Sequence, residues 1–534
     1  MPPVTARAQE TTTSVERGAI AGSAVVLSAG NVTSRVLGLL RETVITALFG
    51  ATGAVSAFRV SSNAYNLLYE LLVGGVISSA FVPVLSEYAE RDQGEFRRLL
   101  GALMFLLMAF VTAIVVLLEF AAPLVTRVMG AGFSPQLQAL TTSLLRLVLP
   151  AVLLLGLSGL SAAALYARQQ FAYPAFMASL FNAALIACAF IFSKRFDIRA
   201  LALGVLAGSL CQAGLQAFGL WRTRSWPSFA LYHPAVKRVL LLALPVLGSL
   251  AIGQAQVIID RNLASRTGEQ SIAWMANATT LIQFPLGLVA SAVSLATLPR
   301  LARLANNERQ GQSPFLGTMA FSLRLVIVLV LPATAALAVL GAPLVHLLFQ
   351  HGNFHAADSA ATNAALRLYL IGLPFAAVDQ CLILAFYARR DTLRPALVGL
   401  VAVGIYLAVA LSTMQRLGMA GLVLANSAQW LGHAVIMLFL TRALIGSLRP
   451  HRVARALLQA LAACAICVPV MLLLLRFLPG HGAGGTLQAL VGVAVPGTFG
   501  LAAYSLAMLA MRNEDFVLLI RLVINRAKAT FQRV

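Results

Sequence analysis

The residues that could do chemistry are ionisable side chains standing inside otherwise apolar stretches. Arg35, Arg41 and Glu42 share one stretch, Arg59 and Glu70 the next, and Arg146 a later one; Asp260 with Arg261 and Arg367 with Asp379 occupy two more. A charged group placed in hydrocarbon is costly and is a functional candidate by default. An arginine fork matches phosphate oxygens, and low dielectric strengthens the contact. Arg35, Arg41, Arg261 and Arg59 are therefore candidates for holding an anionic ligand, and a pyrophosphate would fit them. Glu42 and Asp260 are candidates for pairing or for an ion. Two readings stay open for Arg41 and Glu42: they line a cavity, or they lie near a helix end and snorkel to the interface. Asp260 pairs with Arg261 or helps to bind a cation.

Other motifs point away from catalysis. The chain has no G-x-x-x-x-G-K-[ST] phosphate loop, no H-E-x-x-H and no G-x-S-x-G. It is expected to be no enzyme and to carry no cofactor or metal. His346, His351 and His355 cluster after an apolar stretch, where a loop at the membrane interface accounts for them. Cys464 and Cys467 have C-x-x-C spacing without a second pair, and read as small buried hydrophobes.

The elements that must position these residues are membrane helices. Hydrophobic residues make up 60% of the 534 and charged residues only 11%, with a mean hydropathy of +0.86. A soluble chain of this size has about twice that charge. A spanning helix needs roughly 20 apolar residues, and about fourteen such segments can be drawn between residues 22 and 511. The expected fold is an all-α integral membrane protein. The first stretch, rich in Ser, Thr, Gly and Asn, reads as lining a wet cavity.

The net charge of +21 falls in short connections and tails. It reads as orientation by the positive-inside rule, with both termini in the cytoplasm, and not as a nucleic-acid footprint. A basic inner surface would also attract anionic membrane lipids. Residues 1–21 read as a disordered cytoplasmic tail without a secretory signal, and residues 513–534, with Arg521, Arg526 and Lys528, as a basic amphipathic helix on the inner leaflet.

The chain also repeats itself. Ala122-Pro123-Leu124-Val125 returns as Ala342-Pro343-Leu344-Val345, Tyr166-Ala167-Arg168 as Tyr387-Ala388-Arg389, and Pro174-Ala175 as Pro395-Ala396. Gly132-Phe133 is answered by Asn353-Phe354 and Pro83 by Pro299, all at offsets of 216 to 221 residues. This divides the chain into an N-lobe of six helices over residues 22–225 and a pseudo-symmetric C-lobe of six over 226–445. Two further helices follow over 446–512. An even number of helices per copy gives a parallel repeat, the architecture of alternating-access transporters. Under the offset, Arg261 answers Arg41, so arginines from both lobes could converge.

The motifs in order resemble one family. Ser34-Arg35-Val36-Leu37-Gly38-Leu39-Leu40-Arg41-Glu42, Phe49-Gly50-Ala51, Ala80-Phe81-Val82-Pro83 and Pro174-Ala175-Phe176 with Asn182 are similar to the MurJ (MviN) lipid II flippases. Phe284-Pro285-Leu286-Gly287, Leu348-Phe349-Gln350-His351-Gly352 and Phe386-Tyr387-Ala388-Arg389-Arg390-Asp391 extend the likeness over residues 22 to 510. The resemblance implies the multidrug/oligosaccharidyl-lipid/polysaccharide exporter fold around a cationic cavity, with the last helix pair forming a groove for a polyprenyl tail. It implies movement of lipid II from the inner to the outer leaflet of the bacterial cytoplasmic membrane, in cell-wall synthesis. It also implies substrate handling by Arg35 and Arg41, and an acidic-basic pair at Asp260 and Arg261. A coupling ion is a further implied partner. The chain departs from the family at Ser56, Tyr69-Glu70, Gly74-Gly75, Thr279 and Thr280, where charged residues are common. Those departures leave open another polyprenyl-linked saccharide as cargo, or a small-molecule exporter of the same superfamily.

Overall fold

The structure, a computed structural model, describes residues 4–74, 77–305, 313–477 and 486–531. These residues form helices joined by short turns, and the chain divides into two compact units, Met1–Ala273 and Trp274–Val534.

The first unit holds α1 (Val4–Phe49), α2 (Gly53–Tyr69), α3 (Val82–Arg91), α4 (Gln93–Met129), α5 (Pro135–Val148), α6 (Ala151–Ala167), α7 (Ala172–Phe196), α8 (Arg199–Arg222) and α9 (Ala235–Ser265). The α1 backbone is helical from Val4, through the segment read above as a disordered tail. Two π-helical turns, Glu70–Gly74 and Ile77–Phe81, join α2 to α3. Helix α1 packs on α7, α7 on α8, α8 on α6, and α2 on α5. Phe96, Leu99, Leu100 and Leu103 of α4 bury themselves against Leu160 and Ala163–Leu165 of α6 and Val239 of α9.

The compact unit thus includes α9, which the repeat assigns to the second half. Its contacts explain why. Arg238 clasps Glu87 of α3 through two parallel bonds of 2.7 and 2.8 Å, and its guanidinium holds that carboxyl below the usual carboxylate range. At the other end of α9, Ser265 Oγ accepts from Gly132 N at 2.9 Å. The segment before α9 is strapped across the start of α4, where Ser228 N donates to Arg97 O at 3.0 Å and Arg97 Nε to Trp226 O at 2.7 Å. Gly101 lies directly beneath the Ser228 carbonyl, which a Cβ would overlap.

The second unit follows α10 (Ser271–Pro285), a π-helical turn (Leu286–Ala290) and α11 (Ser291–Ala305) with α12 (Ser313–Phe349), α13 (Ala356–Ala388), α14 (Leu393–Leu417) and α15 (Met419–Leu444). Helices α16 (Val453–Phe477), α17 (Thr486–Ala510) and α18 (Glu514–Phe531) complete it. Both α16 and α17 pack on α12, around Val328, Cys464, Cys467, Met471, Tyr504 and Phe516. The two cysteines are core residues, as their apolar setting suggests. Arg324 of α12 reaches Asp515 of α18 through Nε and Nη2 at 2.7 and 3.0 Å. This contact fastens the first turn of the C-terminal helix; Arg526 and Lys528, which the amphipathic reading used, lie outside the described side chains.

Among the described residues, ten helices are long and apolar enough to cross a membrane. The protein is a multi-pass membrane protein, and large apolar side chains such as Phe120, Phe439 and Leu458 stand 81%, 70% and 67% exposed, as lipid-facing residues do. The other four expected spans coincide with α1, α2–α3, α9 and α10–α11, which do not meet that measure. Three of the four carry ionisable groups within the expected span, and π-helical turns interrupt α2–α3 and α10–α11.

The repeat is visible in backbone geometry. Helices α4 and α12 are both 37 residues long, and α7 and α14 both 25. After α6 and after α13 the chain turns through left-handed residues, Gln169 at φ 57° and Arg390 at φ 61°. The matching closing bonds run from Gln170 N to Leu165 O (2.8 Å) and from Asp391 N to Phe386 O (3.0 Å), a Schellman turn in each case. The next turns match as well: Asp197 has φ 47°, ψ −137° and Gly418 φ 56°, ψ −130°. That region suits glycine, and a side chain there costs about 1–3 kcal/mol. Replacing Asp197 by Gly, as the second half has it, is expected to stabilise the protein by about 1 kcal/mol after the added freedom of the unfolded chain is counted. Thermal melting of the detergent-solubilised variant checks this; an unchanged or lower midpoint contradicts it.

Candidate functional site

Close helix packing builds the site. Gly30 of α1 lies so near the Ala175 backbone of α7 that a Cβ would overlap it, and Gly38 faces Asn182. Small residues at such a crossing let two membrane helices approach. The approach brings Asn182 to α1, where its Nδ2 donates to Ser34 O at 3.3 Å and its Oδ1 accepts from Arg41 Nη1 at 2.9 Å.

A tight turn then joins α1 to α2. Gly50 takes φ 66°, which glycine adopts freely, and Thr52 caps α2. Ser61 Oγ donates to Thr141 O at 3.0 Å and ties α2 to α5. This geometry sets Arg59 opposite Glu42. Arg41 donates to Glu42 Oε1 through Nη2 at 2.6 Å and Nε at 3.1 Å, and Arg59 Nη2 donates to Oε2 at 2.7 Å. The Glu42 side chain is 6% exposed, that of Arg59 13% and that of Arg41 30%. One carboxylate therefore serves two guanidinium groups. Arg41 is the member within reach of a ligand.

The expected residues are only partly brought together. Arg41, Glu42 and Arg59 form one cluster. Arg35 is half-buried on α1 and makes no hydrogen bond or ion pair among the described residues. Arg261 stands on α9 in the same unit, with its guanidinium 3.9 Å from the Asp260 carboxylate and its Nε buried without a hydrogen bond. No bond among the described residues links Arg35 or Arg261 to the Glu42 cluster. Arg146 Nε donates to Glu119 O at 3.2 Å.

Ser56, Thr279 and Thr280, which depart from the family pattern, are neutral, and Glu70 keeps its charge. Thr279 and Thr280 both donate to Ala276 O at 2.9 Å within their own helix. Ser56 is buried, and Glu70 is exposed in its π-helical turn. His351 bonds Leu347 O at 2.9 Å, and His355 stands at the start of α13. Among the described residues no group of three His, Cys, Asp or Glu side chains is placed to hold a metal.

Sequence reasoning missed two partners. Asn182 enters the sequence reading only through its motif, and its available signal is an amide in an apolar helix. His433 was not singled out, yet its Nδ1 lies 2.8 Å from Asp379 Oδ1. A lone histidine within an apolar span would have found it.

Known proteins are similar to this chain in sequence and in fold. The model of the lipid II flippase MurJ family matches residues 45–492. The lipid II flippase MurJ of Burkholderia cenocepacia is 31% identical over 406 residues, covering 73% of this chain and 78% of that protein. A probable lipid II flippase MurJ of Haemophilus influenzae is 31% identical, over 69% of this chain and 76% of its own length. Among solved structures, the inward-closed conformation of lipid II flippase MurJ superposes with a TM-score of 0.76 at 22% identity, over 92% of this chain and 100% of that one. An inward-facing multidrug-resistance MATE transporter of the MOP superfamily gives 0.66 at 15% identity, over 78% of this chain and 96% of its own. At those identities the structures establish the fold, while the family model spans most of the sequence: this chain belongs to the lipid II flippase MurJ family.

Proposed function

We propose that this protein moves lipid II, an undecaprenyl-pyrophosphate-linked precursor, from the inner to the outer leaflet of the bacterial cytoplasmic membrane by alternating access. The observation that carries this reading is the family match over residues 45–492. The geometry of α1 supports it. Excess positive charge inside a bilayer is expensive unless an anion accompanies it. Arg35 has no protein partner among the described residues, and Arg41 keeps the larger exposure of the two arginines that share Glu42. A pyrophosphate would supply that anion. Arg41 is the more exposed partner of Glu42 and could exchange one anion for the other, while Arg59 holds the carboxylate in place. Arg261 would join them from α9, with Asp260 limiting its charge in the empty protein. The polyprenyl tail stays in lipid, so only the head group crosses the polar interior. Lobes spanning 22–225 and 226–445 would carry the alternation.

A second reading keeps the mechanism and changes the saccharide. Neutral Ser56, Thr279 and Thr280 and acidic Glu70 at positions where the family often carries other charges favour it. Proteoliposomes loaded with labelled lipid II, or with other polyprenyl-linked sugars, separate the two readings by leaflet accessibility.

Three outcomes are expected. Arg35→Ala and Arg41→Ala each lose a charge-assisted contact worth about 1.5–3 kcal/mol, so each slows lipid II movement about tenfold or more and fails to rescue a flippase-depleted strain; normal rescue by a correctly inserted variant contradicts the site. Glu42→Gln strands two cations and is expected to cost about 3 kcal/mol or more in stability, read as a lowered melting midpoint. A fluorescent protein fused after Val534 should fluoresce while a periplasmic phosphatase fused there stays inactive; the reverse pattern contradicts a cytoplasmic C-terminus.

A further inference from the structure

The second unit contains a polar pair that the arginine site does not use. Asp379 of α13 and His433 of α15 meet at 2.8 Å, with side chains only 14% and 12% exposed. Both lie within helices long and apolar enough to cross a membrane. An ionisable pair at such a place calls for a reason, since apolar side chains would pack there at lower cost.

The surroundings leave the pair electrically to itself. Helices α11, α12, α14 and α15 and the Leu286–Ala290 turn pack on α13. Their titratable groups are Arg300 and Arg303 on α11, Arg324 and His346 on α12, Arg394, Tyr406 and Arg416 on α14, and Arg442 with His433 on α15. On α13 itself stand Asp358, Arg367, Tyr369, Cys381 and Tyr387. None of the arginines bonds Asp379 among the described residues; His433 is the group that acts on it, and Asp379 in turn acts on Cys381 and Tyr387.

The two ring nitrogens have different surroundings. With Nδ1–H donating to the carboxylate, Nε2 keeps its lone pair. It faces Gly399 of α14, where even an added Cβ would stand 4.0 Å away, and it makes no hydrogen bond among the described residues. A proton taken at Nε2 turns imidazole into imidazolium, and the pair passes from one net negative charge to none. Low dielectric favours the form without net charge. The pair is also joined to a structural irregularity. Cys381 Sγ, two residues beyond Asp379, contacts Ser294 Oγ of α11 at 3.3 Å. Ser294 follows the π-helical turn Leu286–Ala290, an element common at functional sites.

We propose that Asp379 and His433 form a proton-binding site of the transport cycle, which takes one proton at His433 Nε2 from water on one side and returns it to water on the other. No electron moves; an Nε2–H bond forms and breaks once per cycle. The transport role rests on the lipid II reading above, whereas proton binding does not.

Two measurements test it. In protein labelled with 15N-histidine and free of lipid II, the His433 resonance, assigned by its loss in His433→Gln, should titrate between about pH 8 and about pH 5. Asp379→Asn should weaken proton binding there about tenfold or more. In proteoliposomes with the membrane potential clamped at zero, a pH gradient should change the lipid II rate of the wild type several-fold. In Asp379→Asn and His433→Gln the ratio of rates with and without the gradient should fall to about one. Melting curves confirm that each variant is folded, and an Asp379→Asn/His433→Gln double variant, which leaves no lone charge, serves if a single one is not. A His433 resonance that does not titrate, an Asp379→Asn variant that titrates unchanged, or a wild type blind to the gradient overturns the proposal. Titration with no lipid II movement in the wild type sinks the lipid II reading and supports the proton site.

Discussion

Moving a carboxylate or a guanidinium out of water costs several kcal/mol unless a counter-charge and hydrogen bonds meet it, and the polar interior of this protein is arranged around that cost. Glu42 is shared by Arg41 and Arg59, Asp260 adjoins Arg261, Asp379 meets His433, and Asp515 clasps Arg324. Apart from the sequence neighbours Arg41–Glu42 and Asp260–Arg261, each contact joins two segments that packing must first bring together. Arg35 stands outside this scheme. A cation held at a membrane depth without a protein anion is a place where a passing anion has most to contribute, which is why the ligand is sought at α1.

The two halves share a frame and differ in charge. Equal helix lengths and matching left-handed turns at Gln169 and Arg390 show that the duplicated backbone has been kept. Side chains inside it have diverged. The first half gathers arginines around one carboxylate, while the second holds a histidine–aspartate pair.

Much of this was legible in the chain, for specific physical reasons. Apolar runs announce membrane helices because lipid demands them, and the repeat was readable because short turns need particular residues. Tyr166-Ala167-Arg168 and Tyr387-Ala388-Arg389 stood out for that reason. Four expected spans were harder to establish, since α1, α2–α3, α9 and α10–α11 trade apolar residues for polar ones or bend through π-helical turns. The site was partly legible. An arginine in an apolar run is conspicuous, but its partner is chosen by tertiary contact: Asn182 is 141 residues from Arg41 and meets it only because Gly30 admits a close crossing. His433 escaped notice because a single imidazole in an apolar helix is unremarkable until Asp379 is seen beside it.

The clasp between Arg324 and Asp515 bears on how the chain is made. The partners are 191 residues apart. At about 5–20 residues per second, synthesis leaves roughly 10–40 s between them. During that interval Arg324 has entered the bilayer with α12 and its carboxylate does not yet exist. The nascent protein must hold this guanidinium near the lipid head groups, or against the His451 carbonyl once that is made. The contact between α12 and α18 is therefore completed only after Asp515 has been made, and the second unit gains this cross-link late in its synthesis.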